Sequence, residues 1–95
     1  MPQATRLGDM STGHDDCNPT GLIKASENVF INGKGAGRQG DTYGTHSCDV
    51  HSPHNDSISE GSSTVFINGL PAGRVGDSVK IAGSVATGSE NVFIG

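Results

Sequence analysis

SENVFING, at residues 26–33, recurs in this chain as SSTVFING at residues 62–69 and as SENVFIG at residues 89–95. The Val-Phe-Ile core of each copy is β-branched and aromatic, which is typical of half-buried strands. The Asn-Gly pair that follows in the first two copies favours a type I′ turn, because both central residues of that turn take positive φ. The stretch therefore predicts short strands joined by hairpins.

A second repeat, Arg-x-Gly-Asp, precedes each of the three inserts, at residues 6–9, 38–41 and 74–77. The inserts that separate it from the next Val-Phe-Ile differ in length, so we interpret the chain as three equivalent units that carry different loops. The Gly-Asp pair is typical of a turn, and we expect the arginine to brace neighbouring turns or carboxylates. Ser26, Ser62 and Ser89 are predicted to bond the local backbone.

The predicted fold is all-β, because no segment holds an apolar period of 3.6 residues for even three turns. Returning strands are expected to begin at Ala36 and Ala72. The third unit lacks a returning strand of its own, and we expect residues 4–7 to complete it and close the molecule. A single domain spanning 1–95 with pseudo-threefold symmetry follows. Strand alternation leaves open whether the Val and Ile side chains or the Phe side chains face inward.

Composition excludes several functional classes. The chain has 6 Lys and Arg against 10 Asp and Glu, a net charge of −4, and no basic stripe that would indicate nucleic-acid binding. It contains neither an apolar run long enough for a membrane span nor a signal-peptide segment at its start. A cytosolic origin would keep Cys17 and Cys48 reduced. One disulfide between them is the alternative, but the nearby histidines favour metal binding.

Every histidine and cysteine lies in the first two inserts, and the third insert has none. Imidazole and thiolate donors suit Zn²⁺, which takes four ligands in structural sites. The spacing His46-x-Cys48-x-x-His51-x-x-His54 is not that of a standard zinc finger, and a merely polar, solvated loop is an alternative. A cysteine nucleophile with a histidine base is another, although a short turn-rich chain offers little concave surface for a substrate. Tyr43 is interpreted as a packing residue.

The repeat Ser-x-x-Val-Phe-Ile-Asn-Gly, followed by Pro71-Ala-Gly-Arg74 and Val75-Gly-Asp77, resembles the PAAR-repeat proteins. The first copy has Gly35-Ala-Gly-Arg38 at the same place, and the resemblance covers essentially the whole chain. It looks most like the stand-alone tip proteins of contractile phage tails, of the T-even type. The resemblance implies a small cone of short strands with one structural zinc ion near its apex, held by three histidines and one cysteine.

Carried over position by position, the resemblance implies that His14, His46 and His54 are metal ligands, with His51 an additional candidate. Many relatives place a cysteine four residues after the third Gly-Asp, where this chain has Ile81. The thiolate would then come from Cys17 or Cys48, and we favour Cys17. The predicted zinc set is therefore His14, Cys17, His46 and His54.

The resemblance also implies a mechanical function without enzymatic turnover. One tip chain would cap the C-terminal end of a trimeric β-helical spike and sharpen it for piercing the target cell envelope during tail contraction. We expect a monomer when free, assembly in the host cytoplasm and a final place at the tip of the baseplate spike in the virion. The alternatives are a type VI secretion tip that also loads and delivers effectors, a zinc-storage or metal-sensing protein, and a metal-dependent hydrolase. The absence of terminal extensions favours a bare tip.

Overall fold

The computed structural model describes residues 1–14, 17–48 and 51–95, apart from the side chains at 47–48 and 51–52. Within these residues the chain is all-β and contains no helix, as predicted. It forms three antiparallel two-stranded sheets. Their strands are β1 (Phe30–Ile31), β2 (Lys34–Gly35), β3 (His46–Cys48), β4 (His51–His54), β5 (Phe66–Ile67) and β6 (Leu70–Pro71). None of the described residues forms a helix long and apolar enough to cross a bilayer.

Two of the sheets are the hairpins predicted from the repeat. Asn32 and Gly33 connect β1 to β2 with φ of 55° and 78°, and the Asn68-Gly69 pair connects β5 to β6 with φ of 54° and 77°. Positive φ at both central residues is the type I′ signature, so this prediction is confirmed. The returning strands start earlier than expected, at Lys34 and Leu70, because a two-residue loop reverses the chain immediately.

The N-terminal segment completes the third unit, as predicted. The Ala4 amide donates to the Val92 carbonyl at 3.0 Å, just as the Ala36 amide donates to the Val29 carbonyl at 2.9 Å. Gln3 forms an antiparallel bridge with Phe93. Residues far apart in sequence thus build a third copy of the hairpin geometry.

A closed ring of three backbone hydrogen bonds joins the units. The Thr5 amide donates to the Gly73 carbonyl at 3.1 Å, the Gly73 amide to the Gly37 carbonyl at 2.9 Å, and the Gly37 amide to the Thr5 carbonyl at 2.9 Å. The three residues follow the equivalent alanines Ala4, Ala36 and Ala72. The ring therefore defines the pseudo-threefold axis of the molecule.

Each Arg-x-Gly-Asp sequence forms the brace expected of it. Arg38 donates to Asp41 Oδ2 from both its backbone amide, at 2.8 Å, and its Nε, at 2.9 Å, and a further nitrogen reaches Oδ1 at 2.9 Å. The other two copies repeat this fork. The hydrogen bond that each arginine donates to its aspartate is the main reason that the pKa of the arginine is raised above its ordinary value.

Two apolar clusters form the core. The framework cluster lies among the repeats and consists of Ala4, Ala36, Ile67, Ala72 and Ile94. The insert cluster consists of Leu22, Tyr43, Ile58, Val79 and Val85. Tyr43 is 1% exposed, which confirms its packing role.

The inward face of the strands, which sequence left open, carries Val and Ile. Val29, Ile31 and Val92 pack against the framework cluster. The three phenylalanines point outward instead, with Phe30 61%, Phe66 57% and Phe93 47% exposed.

The inserts leave and rejoin the framework at equivalent points. Each rejoins through an amide that donates to the carbonyl of the aspartate at which it left, at 2.8–2.9 Å, and these pairs are Leu22–Asp9, Ile58–Asp41 and Val85–Asp77. All three rejoining residues belong to the insert cluster. The three inserts therefore extend from the same layer of the core, the insert cluster. Their side chains can then meet on the side of this cluster away from the framework.

Candidate metal centre

The first two inserts each contribute local structure that carries histidine. The amide and carbonyl of His14 exchange hydrogen bonds with the carbonyl and amide of Cys17, at 3.3 and 2.7 Å. In the second insert, His46 on β3 lies directly opposite His54 on β4, with a register irregularity before Cys48. Asp56 follows β4 by two residues, and its carbonyl accepts from the Tyr43 amide at 2.8 Å. The centre is thus anchored to the insert cluster through Tyr43.

Four side chains converge between these inserts: His14, His46, His54 and Asp56. One nitrogen or oxygen from each lies within 4.8 Å of those of the other three, a group that could hold a metal ion. The His46 and His54 Nε2 atoms are 2.9 Å apart. Asp56 Oδ2 lies 3.1 Å from His46 Nε2 and 3.5 Å from His14 Nδ1, and Asp56 Oδ1 lies 3.1 Å from His54 Nε2.

A backbone carbonyl orients His46. Its Nδ1 lies 2.8 Å from the carbonyl oxygen of Asn18. Because a carbonyl can only accept, Nδ1 carries a proton, which leaves Nε2 as the ring nitrogen available to a metal. Metal-binding histidines are commonly oriented in this way through their second ring nitrogen.

The donor set and its spacing fit a tetrahedral ion. Four ligands bound tetrahedrally to Zn²⁺ at about 2.0–2.1 Å lie about 3.3–3.4 Å from one another. The His46–His54 contact and the contacts of Asp56 with each histidine, at 2.9–3.5 Å, bracket that value, and all four donor atoms lie within 4.8 Å of one another. His14, His46 and Asp56 are at most 9% exposed. The chain thus brings together three imidazoles and one carboxylate, of which all but the partly exposed His54 are buried.

The structure brings together three of the four predicted ligands, His14, His46 and His54. Cys17 is buried but does not belong to this group. Cys17 is disulfide-bonded, whereas the sequence led us to expect a reduced thiol. That expectation rested on the cellular compartment, and composition does not show which cysteine sulfurs lie close together in the fold. Its role as a metal ligand stays a prediction and requires the reduced protein. The side chains of Cys48 and His51 lie outside the described part of the chain.

Sequence reasoning missed Asp56. The signal available was its spacing from His54, since residues two apart on an extended chain project to the same side. Asn55-Asp56 instead has the composition of a turn. The carboxylate is recognisable as a candidate donor only once the fold places it beside the imidazoles.

Comparison with known proteins agrees with the geometry. No curated protein matches the sequence. The PAAR motif family matches it over residues 12–86, which span both histidine-bearing inserts and most of the framework. PAAR motifs are generally metal-binding, and the group of three histidines and one aspartate lies within the matched range. The chain therefore belongs to the PAAR motif family, which is related to the spike-tip proteins of phages and type VI secretion systems.

Proposed function

We propose that this protein caps the C-terminal end of a trimeric β-helical spike in a contractile phage tail and forms its piercing point. The closed ring through Thr5, Gly37 and Gly73 is the observation that carries the proposal. It gives a single chain an approximate threefold axis, so that three near-equivalent surfaces can meet three identical subunits. One tip chain per trimer is the stoichiometry that this symmetry favours.

Side-chain hydrogen bonds repeat the threefold pattern at the corners of the framework. Ser89 Oγ donates to Asn32 Oδ1 at 2.6 Å, and Ser26 Oγ donates to Asn68 Oδ1 at 2.7 Å. Ser62 Oγ donates to the Gly95 carbonyl at the third corner. Each unit is thus fastened to the next in a cycle, which makes the framework a rigid platform.

The three outward-facing phenylalanines give each unit an equivalent exposed apolar surface. Phe30, Phe66 and Phe93 occupy the same position in their respective copies of the repeat and are all about half exposed or more. Exposed apolar residues related by the symmetry of a partner favour an interface with that partner. We propose that these side chains contact the three subunits of the spike.

We further propose that one Zn²⁺ ion, bound by the histidine-rich group, ties the first and second inserts together at the point. Zinc supplies coordination bonds in place of a larger apolar core, which a chain with few large apolar residues and no tryptophan does not build. The burial of His14, His46 and Asp56 supports a structural ion, because a catalytic centre keeps a ligand position open to substrate. We accordingly propose a mechanical role without turnover, and a final location at the tip of the baseplate spike after assembly in the host cytoplasm.

Co-expression with spike proteins tests the capping proposal. The full chain is expressed with a trimeric β-helical spike from a contractile phage tail and, separately, with one from a type VI secretion system. We expect a complex of one chain per phage trimer, lost when Phe30, Phe66 and Phe93 are all changed to serine. Ile23→Ser is the matched control, because Ile23 is equally exposed, at 61%, but lies outside the Val-Phe-Ile repeat. Binding only to the secretion-system spike would assign the chain to that system, and binding to neither would overturn the proposal.

A further inference from the structure

We propose that Asp56 supplies the fourth metal ligand, so that a carboxylate closes the centre and no thiolate is needed. This inference rests on the proposal that the histidine-rich group holds a metal ion. It concerns which atoms hold the ion and is independent of what the protein caps.

The position of the Asp56 carboxylate is the first reason. The residue is 4% exposed, and its two oxygens together face all three imidazoles, at 3.1 Å from His46, 3.1 Å from His54 and 3.5 Å from His14. A buried carboxylate is costly unless it is paired or coordinates a metal. The Asp56 carboxylate therefore lies where a fourth ligand would complete the coordination of an ion bound by the three histidines.

Among the described residues, no arginine or lysine forms an ion pair with the Asp56 carboxylate. Each arginine is occupied by the aspartate of its own Arg-x-Gly-Asp brace. All three lysines, Lys24, Lys34 and Lys80, are exposed at the surface. The ion pairs that the structure shows for Asp56 are those with the three histidines. A divalent cation held between the imidazoles and the carboxylate would balance the charge of Asp56.

Asp56 Oδ1 is the carboxylate oxygen that faces His54. This oxygen is buried and accepts no hydrogen bond within the described residues, although His54 Nε2 is only 3.1 Å away. A shared metal ion would account for this approach, because two ligands of one ion come close to each other without being hydrogen-bonded. His46 Nε2 also lies 3.1 Å from Asp56 Oδ2, and a ring nitrogen and a carboxylate oxygen approach so closely only with a proton or a metal cation between them.

The thiol alternative is less well placed. Cys17 is outside the converging group, and a disulfide sulfur offers no thiolate to a metal. A set of three nitrogens and one oxygen would make metal retention independent of the redox state of the protein. It also suits several first-row divalent ions besides Zn²⁺, because imidazole and carboxylate accept a wider range of metals than thiolate does.

Cobalt substitution tests the assignment directly in the wild-type chain. The apoprotein is kept under a phosphine reductant, so that the cysteines are available as thiolates, and is titrated with Co²⁺. We expect the intense visible bands of tetrahedral Co²⁺ without the near-ultraviolet thiolate-to-cobalt charge-transfer band. Appearance of that band at one equivalent would overturn the assignment.

Two variants provide a second readout by Zn²⁺ calorimetry. Asp56→Asn keeps the shape of the side chain and removes its charge, and we expect at least about a 100-fold loss of Zn²⁺ affinity. Cys17→Ser is the matched control and should bind Zn²⁺ within about threefold of wild type. Wild-type affinity in Asp56→Asn, or loss of binding in Cys17→Ser, would overturn the role of Asp56 and leave the capping proposal standing. If the wild-type chain bound neither ion, the metal proposal itself would fail.

Discussion

Thr5 fills the space on the pseudo-threefold axis that a side chain on Gly37 would need. A β-carbon built on Gly37 lies 2.7 Å from Thr5 Cγ2 and 2.9 Å from Leu22 Cδ2. At Gly73 a β-carbon lies 3.0 Å from the same Thr5 methyl. The three ring positions thus have equivalent backbone hydrogen bonds, but they differ in the room available for a side chain. The axis accommodates one side chain, and Thr5 supplies it.

We therefore expect Gly37→Ala to destabilise the protein by about 1–3 kcal/mol, the usual cost of overpacking a core. Thermal unfolding checks this, since 1 kcal/mol corresponds to about 4–8 °C in a domain of this size. Gly44→Ala is the control, because the nearest atom to a β-carbon there is 3.7 Å away. Thr5→Ser removes the obstructing methyl and should recover part of the loss. Strictly additive effects of Thr5→Ser and Gly37→Ala would contradict this contact.

The three arginine braces predict an order of stabilities. Arg38 and Asp41 are the more buried pair, and Arg38 also reaches Asn68 Oδ1 in the neighbouring hairpin at 2.9 Å. Arg74 is more exposed, and its described hydrogen bonds all go to Asp77. Lysine cannot reproduce the fork, so we expect Arg38→Lys to cost about 1–3 kcal/mol and Arg74→Lys less. Chemical denaturation of both variants measures the order, and equal losses would argue against a role for the Asn68 contact.

Tyr43 carries a buried hydroxyl for which the described residues provide no hydrogen-bond partner. We expect Tyr43→Phe to be neutral or to raise stability by up to about 1–2 kcal/mol, because the change relieves a desolvated polar group without altering packing. Tyr43→Leu, which changes the shape, should destabilise. A loss of more than about 1 kcal/mol in the phenylalanine variant would show that the hydroxyl has a partner.

The same residue predicts a response to alkaline pH. Burial is the main cause that raises the pKa of the Tyr43 phenol above its ordinary value of about 10. Above that ordinary pKa the unfolded chain releases this proton while the folded chain keeps it, so stability falls as pH rises. Since the chain has a single tyrosine, phenolate absorbance reports on Tyr43 alone. We expect it to appear with unfolding, and phenolate formation in the folded protein would contradict the burial.

Ile81 takes a φ of 80°, a conformation that β-branched residues rarely adopt. The side chain is 60% exposed, so the strain has no compensating burial. Ile81→Gly should therefore raise stability by about 0.5–1 kcal/mol, the relief of the strained φ less the extra backbone entropy of glycine. Ile81→Ala keeps the β-carbon and serves as the control, with little gain expected. Calorimetric melting of both variants distinguishes backbone strain from loss of the side chain.

Local chemistry explains which features could be predicted from sequence. The Asn32-Gly33 turn and the Arg38–Asp41 brace depend on residues within a few positions of each other, so their patterns are sufficient. Completion of the third unit by Ala4 followed from counting strands against repeats. The inward face of the strands could not be chosen, because Val29, Phe30 and Ile31 make both faces apolar.

Features that join distant parts of the chain were not accessible in this way. Asp56 is a donor only because the fold places it between His14 and His46, and nothing in its own neighbourhood distinguishes it from a turn aspartate. The corner bonds from Ser26 to Asn68 and from Ser89 to Asn32 also cross between units. Their residues were recognised as local turn formers, and only the threefold arrangement gives them a second partner.

Metal removal should loosen the inserts and leave the framework folded. The metal group belongs to the first two inserts, whereas the ring through Thr5, Gly37 and Gly73 contains none of its donors. Zinc at 100 times its Kd would stabilise the folded chain by about 2.7 kcal/mol, so chelation should lower the melting temperature by a corresponding amount. His14→Ala and His46→Ala should abolish this zinc-dependent shift, while Thr45→Ala, an exposed change next to His46, should retain it. Hydrogen exchange locates the effect: amide protection should fall in residues 42–57 and persist at the three ring positions. An unchanged melting curve after confirmed metal loss would contradict a structural ion, and loss of ring protection would show that the framework depends on the metal as well.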